Sequence, residues 1–405
     1  MTGDGAGGSS GGIAVSGPPS VELGDVPTCG GLSAGFPDEA SLPVVTALPD
    51  PFQSLDGTRI TRQDQWSCRR AEIAAQAQVY ELGPKPGRPA SVSGAFDGSN
   101  LVVTASDGQT SVSFSATVTL PATGTPPYPA MIGIGGISIG AAQLNAMGVA
   151  TIVFPNDTVA AQQDGTSRGK GVFYDLYGHS HGAGAMMAWA WGVSRVVDAI
   201  EQTPAAQIDP ARLGVTGCSR NGKGALIAGA FDERIALTIP QESGSGGSAS
   251  WRVSDAQVAA GTQVQTLSEI TGENVWFRSA FARFNNAATR LPLDHHLIEG
   301  LVAPRALLVI ENTSQVWLGD VSTYNDSMAA HLIWEALQIP DHMGVSQIGD
   351  HAHCQWIGSQ QPEVTAYVQK FLIGGGTAST NVLKTDGSFP FDRATWVTWD
   401  VPALQ

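Results

Sequence analysis

Two hydrophobic periods divide this chain, and the switch between them restricts its fold more than any other feature. Between residues 91 and 120 apolar and polar residues alternate, as in Ser91-Val92-Ser93-Gly94, Leu101-Val102-Val103-Thr104 and Ser111-Val112-Ser113-Phe114-Ser115-Ala116-Thr117-Val118. A period of two marks strands with one buried and one wetted face, the habit of antiparallel pairs. Beyond residue 129 the alternation stops. Ala130-Met131-Ile132-Gly133-Ile134, Ala150-Thr151-Ile152-Val153-Phe154, Leu213-Gly214-Val215-Thr216 and Ala306-Leu307-Leu308-Val309-Ile310 are short unbroken apolar runs. Such runs suit strands covered on both faces. Ser346-Gln347-Ile348-Gly349 is expected to be the last strand. Between the runs the spacing turns helical, with Met187, Trp191, Val193 and Val197 inside residues 184–200, and a closing helix is expected over 363–372. Strands alternating with helices predict an α/β fold, a three-layer sandwich around a mostly parallel sheet. Earlier in the chain, residues 21–90 are turn-rich around one helical patch of Trp66, Arg69, Ile73 and Ala77.

The Gly/Ser-rich start, residues 1–20, reads as a disordered linker, and residues 21–405 as a single catalytic domain. The opening Met1-Thr2-Gly3-Asp4-Gly5 has no apolar core of a signal peptide, so any leader of a secreted precursor is expected to be missing from this sequence. The net charge of -15 repels phosphate backbones and argues against a nucleic-acid partner. The most apolar region, 129–155, is interrupted by Gly133, Gly135, Gly136 and Gly140 and is no membrane span. The four cysteines, Cys29, Cys68, Cys218 and Cys354, lack any C-x-x-C spacing, which argues against a zinc site; an even, widely spaced set suits two disulfides or four buried thiols.

The chemistry centres on Gly217-Cys218-Ser219-Arg220-Asn221-Gly222. A buried strand runs into it and a helix over 221–230 follows. Strand, sharp turn with serine, then helix is the nucleophile elbow of α/β-hydrolases, where strand and helix backbones nearly touch. Gly217 meets the need for a small residue two positions before Ser219, but Asn221 stands two positions after it, with Gly222 next. The helix N-terminus supplies free N–H donors and a positive field for an oxyanion. In this fold the acid and the histidine follow the serine in that order. His353 lies in a loop after a late strand, with His351 and His342 as rivals. Cys218 immediately precedes Ser219 and Cys354 immediately follows His353, so a serine–histidine contact would bring the two sulfurs within disulfide reach and points to an oxidising compartment. For the acid, Glu242 and Glu311 each follow an expected strand, and the residues alone leave both open.

Gly217-Cys218-Ser219-Arg220-Asn221-Gly222-Lys223-Gly224 resembles the signature of the glucuronoyl esterases, which cleave esters between lignin alcohols and the 4-O-methyl-glucuronate of xylan. Tyr174-Asp175-Leu176-Tyr177-Gly178, Ala188-Trp189-Ala190-Trp191-Gly192-Val193-Ser194-Arg195, Gly272-Glu273-Asn274-Val275-Trp276-Phe277 and Leu293-Asp294-His295-His296 are similar to further family segments, so the resemblance runs over most of the chain from about residue 27. It implies an α/β-hydrolase with Ser219 as nucleophile, His353 as base, Glu242 as acid and Arg220 at the oxyanion hole. It implies Lys223, Gln265, Glu273 and Trp317 as the residues that hold the uronate, and disulfides Cys29–Cys68 and Cys218–Cys354. A third family disulfide is absent, Ser250 standing at one of its positions. It further implies a secreted, monomeric enzyme without cofactor or metal, acting on glucuronoxylan or lignin–carbohydrate complexes.

The residues themselves agree: Arg220 and Lys223 put positive charge beside Ser219 in an acidic chain, Lys223 one helical turn on. Trp317 and Trp276 are candidate sugar platforms. The alternatives are an acetyl-xylan or general carboxylesterase with the same three residues, or a non-catalytic carbohydrate-binding protein on this scaffold.

Overall fold

The computed structural model describes residues 36–405. One ten-stranded sheet runs through them, in the order β1-β2-β3-β5-β4-β6-β7-β8-β9-β10. The alternating region forms β1 (Ser91–Phe96), β2 (Asn100–Ser106) and β3 (Ser111–Thr119), paired antiparallel. In β3 Phe114, Ala116 and Val118 are buried while Ser113, Ser115 and Thr117 face solvent, as the period of two requires.

From β3 the sheet turns parallel. β4 (Tyr128–Ile134), β5 (Ala150–Phe154), β6 (Ile208–Cys218), β7 (Ile235–Gln241), β8 (Ala306–Glu311), β9 (Met343–Gln347) and β10 (Leu383–Thr385) all run the same way. In the unbroken apolar run of β8, Leu307 and Val309 join one core cluster while Ala306, Leu308 and Ile310 join another. The strand therefore feeds two cores at once, and helices cover both faces. On one side pack the helices Trp66–Ala77, Ala185–Gln202 and Arg220–Ala230, with Trp189 and Trp191 fully buried. On the other packs the helix Gln361–Val368, through Val364, Tyr367 and Val368. This is the expected α/β-hydrolase sandwich. At about 25 cal/mol per Å², each such fully buried side chain contributes roughly 1.5–3 kcal/mol.

The short edge strand β10 has no counterpart in the sequence reading, because three half-buried residues carry no legible period. The Gly/Ser-rich linker lies outside the described residues, as does Cys29. Cys68 is disulfide-bonded. Among the described residues no helix is long and apolar enough to cross a membrane.

Candidate active site

The sheet delivers the candidate site residues from the ends of β6, β7, β8 and β9, side by side. β6 ends at Cys218, and the helix Arg220–Ala230 starts at once. Between them Ser219 has φ +60° and ψ -129°, a conformation a non-glycine residue holds only when its surroundings impose it. Its N–H donates to the Gln241 carbonyl of β7 at 2.9 Å, and its carbonyl accepts the Lys223 N–H at 3.0 Å. A Cβ on Gly217 would lie 2.4 Å from the Asn221 carbonyl, and one on Gly222 would lie 2.7 Å from that of Gln241. So the second small residue of the elbow stands three positions after Ser219, where the helix meets β7, and Asn221 at the second position accepts an amide proton of Asn156 at 3.2 Å. The N–H groups of Arg220 and Asn221 head the helix without intrahelical acceptors.

His353 and Glu242 meet. His353 Nδ1 lies 2.8 Å from Glu242 Oε2, and the Cys354 N–H donates to the same oxygen at 2.9 Å. Glu242 is fully buried and His353 about a quarter exposed. With Nδ1 donating to the carboxylate, Nε2 is left to accept a proton. Ser219, Glu242 and Cys354 are all among the few non-glycine residues with positive φ, so backbone strain gathers where the three segments converge.

Cys218 and Cys354 are bonded. The strand bearing Ser219 is thereby tied to the loop bearing His353, and a His353 ring nitrogen sits within 4.8 Å of both sulfurs. Those sulfurs are consumed in the bond and offer no thiolate to a metal.

The rival residues are occupied elsewhere. His351 turns Nε2 to the Ile348 carbonyl at 2.9 Å and Nδ1 to that of Ala352 at 3.0 Å, its nearest approach to Glu242 being 3.8 Å. His342 binds the Pro304 carbonyl and packs on Phe371. Glu311 lies beside Glu242 but faces inward, its Oε1 accepting the N–H groups of Ser243 and Gly244 at 2.8 and 3.2 Å. Burial, helped by the Glu242 charge, pushes its carboxyl up to about 8.

The expected sugar-holding residues separate into two groups. Gln265, Glu273 and Trp317 assemble: Gln265 Nε2 donates to Glu273 Oε2 at 3.1 Å, and its N–H to the Trp317 carbonyl at 2.9 Å. The Trp317 ring is 41% exposed and meets His353 edge-on at 5.3 Å. A groove of about 500 Å³ continues past Gln265 and Trp317 along Val258, Thr262 and Glu269. Lys223 is different. It is buried, and Nζ donates to the carbonyls of Ser243 at 2.5 Å and Ser245 at 2.8 Å. Burial lowers its pKa to about 8, against the pull of Glu311 and Glu273. Two of its three donors thus hold the segment after Glu242. Trp276, a candidate platform, is buried, its Nε1–H on Gln162 Oε1 at 2.8 Å. It cannot stack on a sugar; its ring lies 5.5 Å from the Arg220 guanidinium carbon and 5.9 Å from Lys223 Nζ, within cation–π range. Ser250, where a third disulfide was missing, caps the helix Trp251–Ala259.

The fungal glucuronyl esterase family model matches residues 103–338. A 4-O-methyl-glucuronoyl methylesterase of Hypocrea jecorina is 49% identical over 375 residues, 93% of this chain and 80% of the relative. The chain belongs to the glucuronoyl esterase family. A 4-O-methyl-glucuronoyl methylesterase of Neurospora crassa is 51% identical over 361 residues, covering 89% of this chain and 90% of its own. The glucuronoyl esterase catalytic domain of Hypocrea jecorina superposes with a TM-score of 0.88 at 49% identity, covering 91% of this chain and all of that one. A serine-to-alanine mutant of the Sporotrichum thermophile glucuronoyl esterase, in complex with methyl 4-O-methyl-β-D-glucopyranuronate, superposes with a TM-score of 0.85 at 47% identity, over 90% of this chain and 97% of that chain.

Proposed function

We propose that this glucuronoyl esterase family member hydrolyses esters of 4-O-methyl-glucuronate through an acyl-enzyme on Ser219. The observation that carries the reading is the Glu242–His353 pair, tied by Cys218–Cys354 to a strained serine at a helix N-terminus. Glu242 fixes the imidazole tautomer and stabilises the imidazolium that forms. His353 Nε2 takes the Ser219 proton as Oγ attacks the ester carbonyl. The oxyanion is met by the N–H groups at the head of the helix, beginning with Arg220, and by the exposed Arg220 guanidinium above them. His353 then returns the proton to the departing alkoxide. Water, deprotonated by the same nitrogen, cleaves the acyl-enzyme and releases the uronate.

The acyl side is selected by Gln265, Glu273 and Trp317, which offer amide, carboxylate and an exposed ring on one side of His353. The third N–H of Lys223 remains for a sugar oxygen. The leaving alcohol of the natural substrate is a lignin alcohol, and the carrier of the uronate is glucuronoxylan. The described residues form one α/β-hydrolase catalytic domain, active as a monomer and exported, consistent with a Cys218–Cys354 bond and an oxidised Cys68. Comparing kcat/KM on benzyl or methyl glucuronate esters with that on p-nitrophenyl acetate tests the reading: strong preference for the uronate supports it, and turnover of acetate alone overturns it in favour of a general esterase.

A further inference from the structure

The segment that follows β7, Gln241-Glu242-Ser243-Gly244-Ser245-Gly246-Gly247-Ser248-Ala249, has the composition of a flexible linker, yet every residue of it is buried. It carries Glu242 and the two carbonyls that hold Lys223. Its far end is gripped from outside the site. His295 Nδ1 lies 2.5 Å from the Gly247 carbonyl, and His295 Nε2 lies 2.8 Å from Glu81 Oε1. A carbonyl oxygen only accepts, and an ionised carboxylate only accepts, so an imidazole between them carries a proton on both nitrogens. Both side chains are fully buried, and the Trp251 ring packs edge-on against the imidazole at 5.1 Å. The other charged or titratable groups around the ring are Asp294, paired with Arg252 at 2.9 Å, and His296.

We propose that Glu81 and His295 form a buried ion pair whose imidazolium clamps the Gly247 carbonyl and so positions the acid-bearing segment against His353. The grip passes along the segment through short bonds. The Gly247 N–H donates to the Gly244 carbonyl at 2.8 Å, and the Ser248 N–H donates to Ser243 Oγ at 2.9 Å. Burial works against the imidazolium, but the charges of Glu81 and Asp294 and the Gly247 carbonyl outweigh it and hold the His295 pKa above its ordinary value. A buried ion pair contributes little net stability compared with apolar packing, so what it supplies is a fixed geometry. His295 and Glu81 are positioning residues, and their role rests on the reading of Glu242 and Lys223 as parts of the site.

Long-range proton–nitrogen NMR on the isotope-labelled chain tests the protonation state directly. Of the eight histidines, the one whose signal disappears in His295→Gln is expected to show both ring nitrogens protonated at pH 7, and to lose that state in Glu81→Gln. Folded Glu81→Gln is expected to lose about 10²-fold in kcat/KM on a methyl glucuronate ester, the scale of a small misplacement of catalytic groups, and Glu81→Asp to recover part of it. A neutral His295 at pH 7 in the wild type, or a folded Glu81→Gln with unchanged kcat/KM, overturns the proposal. A wild type inert on glucuronate esters would count against the esterase reading instead, and the NMR result would then decide the ion pair.

Discussion

Glu242 holds His353 through a single oxygen: Oε2 lies 2.8 Å from the imidazole Nδ1, and that oxygen also accepts the next backbone N–H in the chain, from Cys354. Glu242 therefore fixes both the ring and the loop that presents it. Glu311, the other candidate, spends its Oε1 on the segment just after Glu242. Glu242→Ala is expected to lower kcat by about 10⁴-fold, as loss of triad geometry does elsewhere. Glu311→Gln, which keeps an acceptor for those N–H groups, is expected to stay within about tenfold by the same comparison. Steady-state kinetics on one ester checks both, and equal losses would mean that the two carboxylates serve together.

Cys218 and Cys354 lie 136 residues apart in sequence. Closing a loop of that length is worth on the order of 4–5 kcal/mol in the chain-entropy account. The double variant Cys218→Ala, Cys354→Ala is expected to lose stability on that scale in urea unfolding. It is also expected to lose kcat, because the bond joins the strand that leads into Ser219, the proposed nucleophile, to the loop that carries His353, the proposed base. A free thiol at either position in non-reducing peptide mapping would contradict the pairing.

Lys223 is expected to support the site as much as it reads the substrate. Its Nζ holds the Ser243 and Ser245 carbonyls, so Lys223→Ala should lower kcat/KM on acetyl and glucuronate esters alike, with an extra loss of roughly 1.5–3 kcal/mol on the glucuronate. A loss confined to the glucuronate ester would show that the ammonium leaves those carbonyls for the sugar.

Stability should fall as pH rises from about 6.5 to 8. Burial raises Glu311 and Glu299 to about 8, so in this window the folded chain keeps protons that the unfolded chain has released. Each such proton costs roughly 1.4 kcal/mol of stability per pH unit. His296, lowered to about 4 by burial, is neutral in the folded chain but half protonated in the unfolded chain at about pH 6.5, so it opposes the trend only at the lower end of the window. Lys223, lowered to about 8, begins to act in the opposite sense towards the top of the window and does so fully above it. Urea midpoints across the window check the slope, and Glu299→Gln is expected to flatten it.

Much of this was legible in the sequence because it depends on period and adjacency. The switch from alternation to unbroken apolar runs located the antiparallel edge and the parallel centre. The neighbours Cys218–Ser219 and His353–Cys354 made the Cys218–Cys354 bond legible before any coordinates. Other features were hidden for physical reasons. Gly222 was visible next to Asn221, but that it takes the place of the usual second glycine shows only in its close contact with β7. Trp276 and Trp317 look alike as letters, yet one is buried beneath Arg220 and the other is exposed beside His353. The serine-rich segment after Glu242 is buried because its hydroxyls and amides find partners among themselves and with Glu311, and composition does not encode that pairing. Nor does it show that Glu81 and His295, 214 residues apart, meet.

The most direct test of the account is hydrolysis of methyl 4-O-methyl-glucuronate by the wild type and by Ser219→Ala, with p-nitrophenyl acetate as reference. The wild type is expected to favour the uronate ester in kcat/KM, and Ser219→Ala to lose about 10⁴–10⁶-fold in kcat while remaining folded. Uronate turnover that survives in Ser219→Ala, or a wild type that cleaves only the acetate, would contradict it.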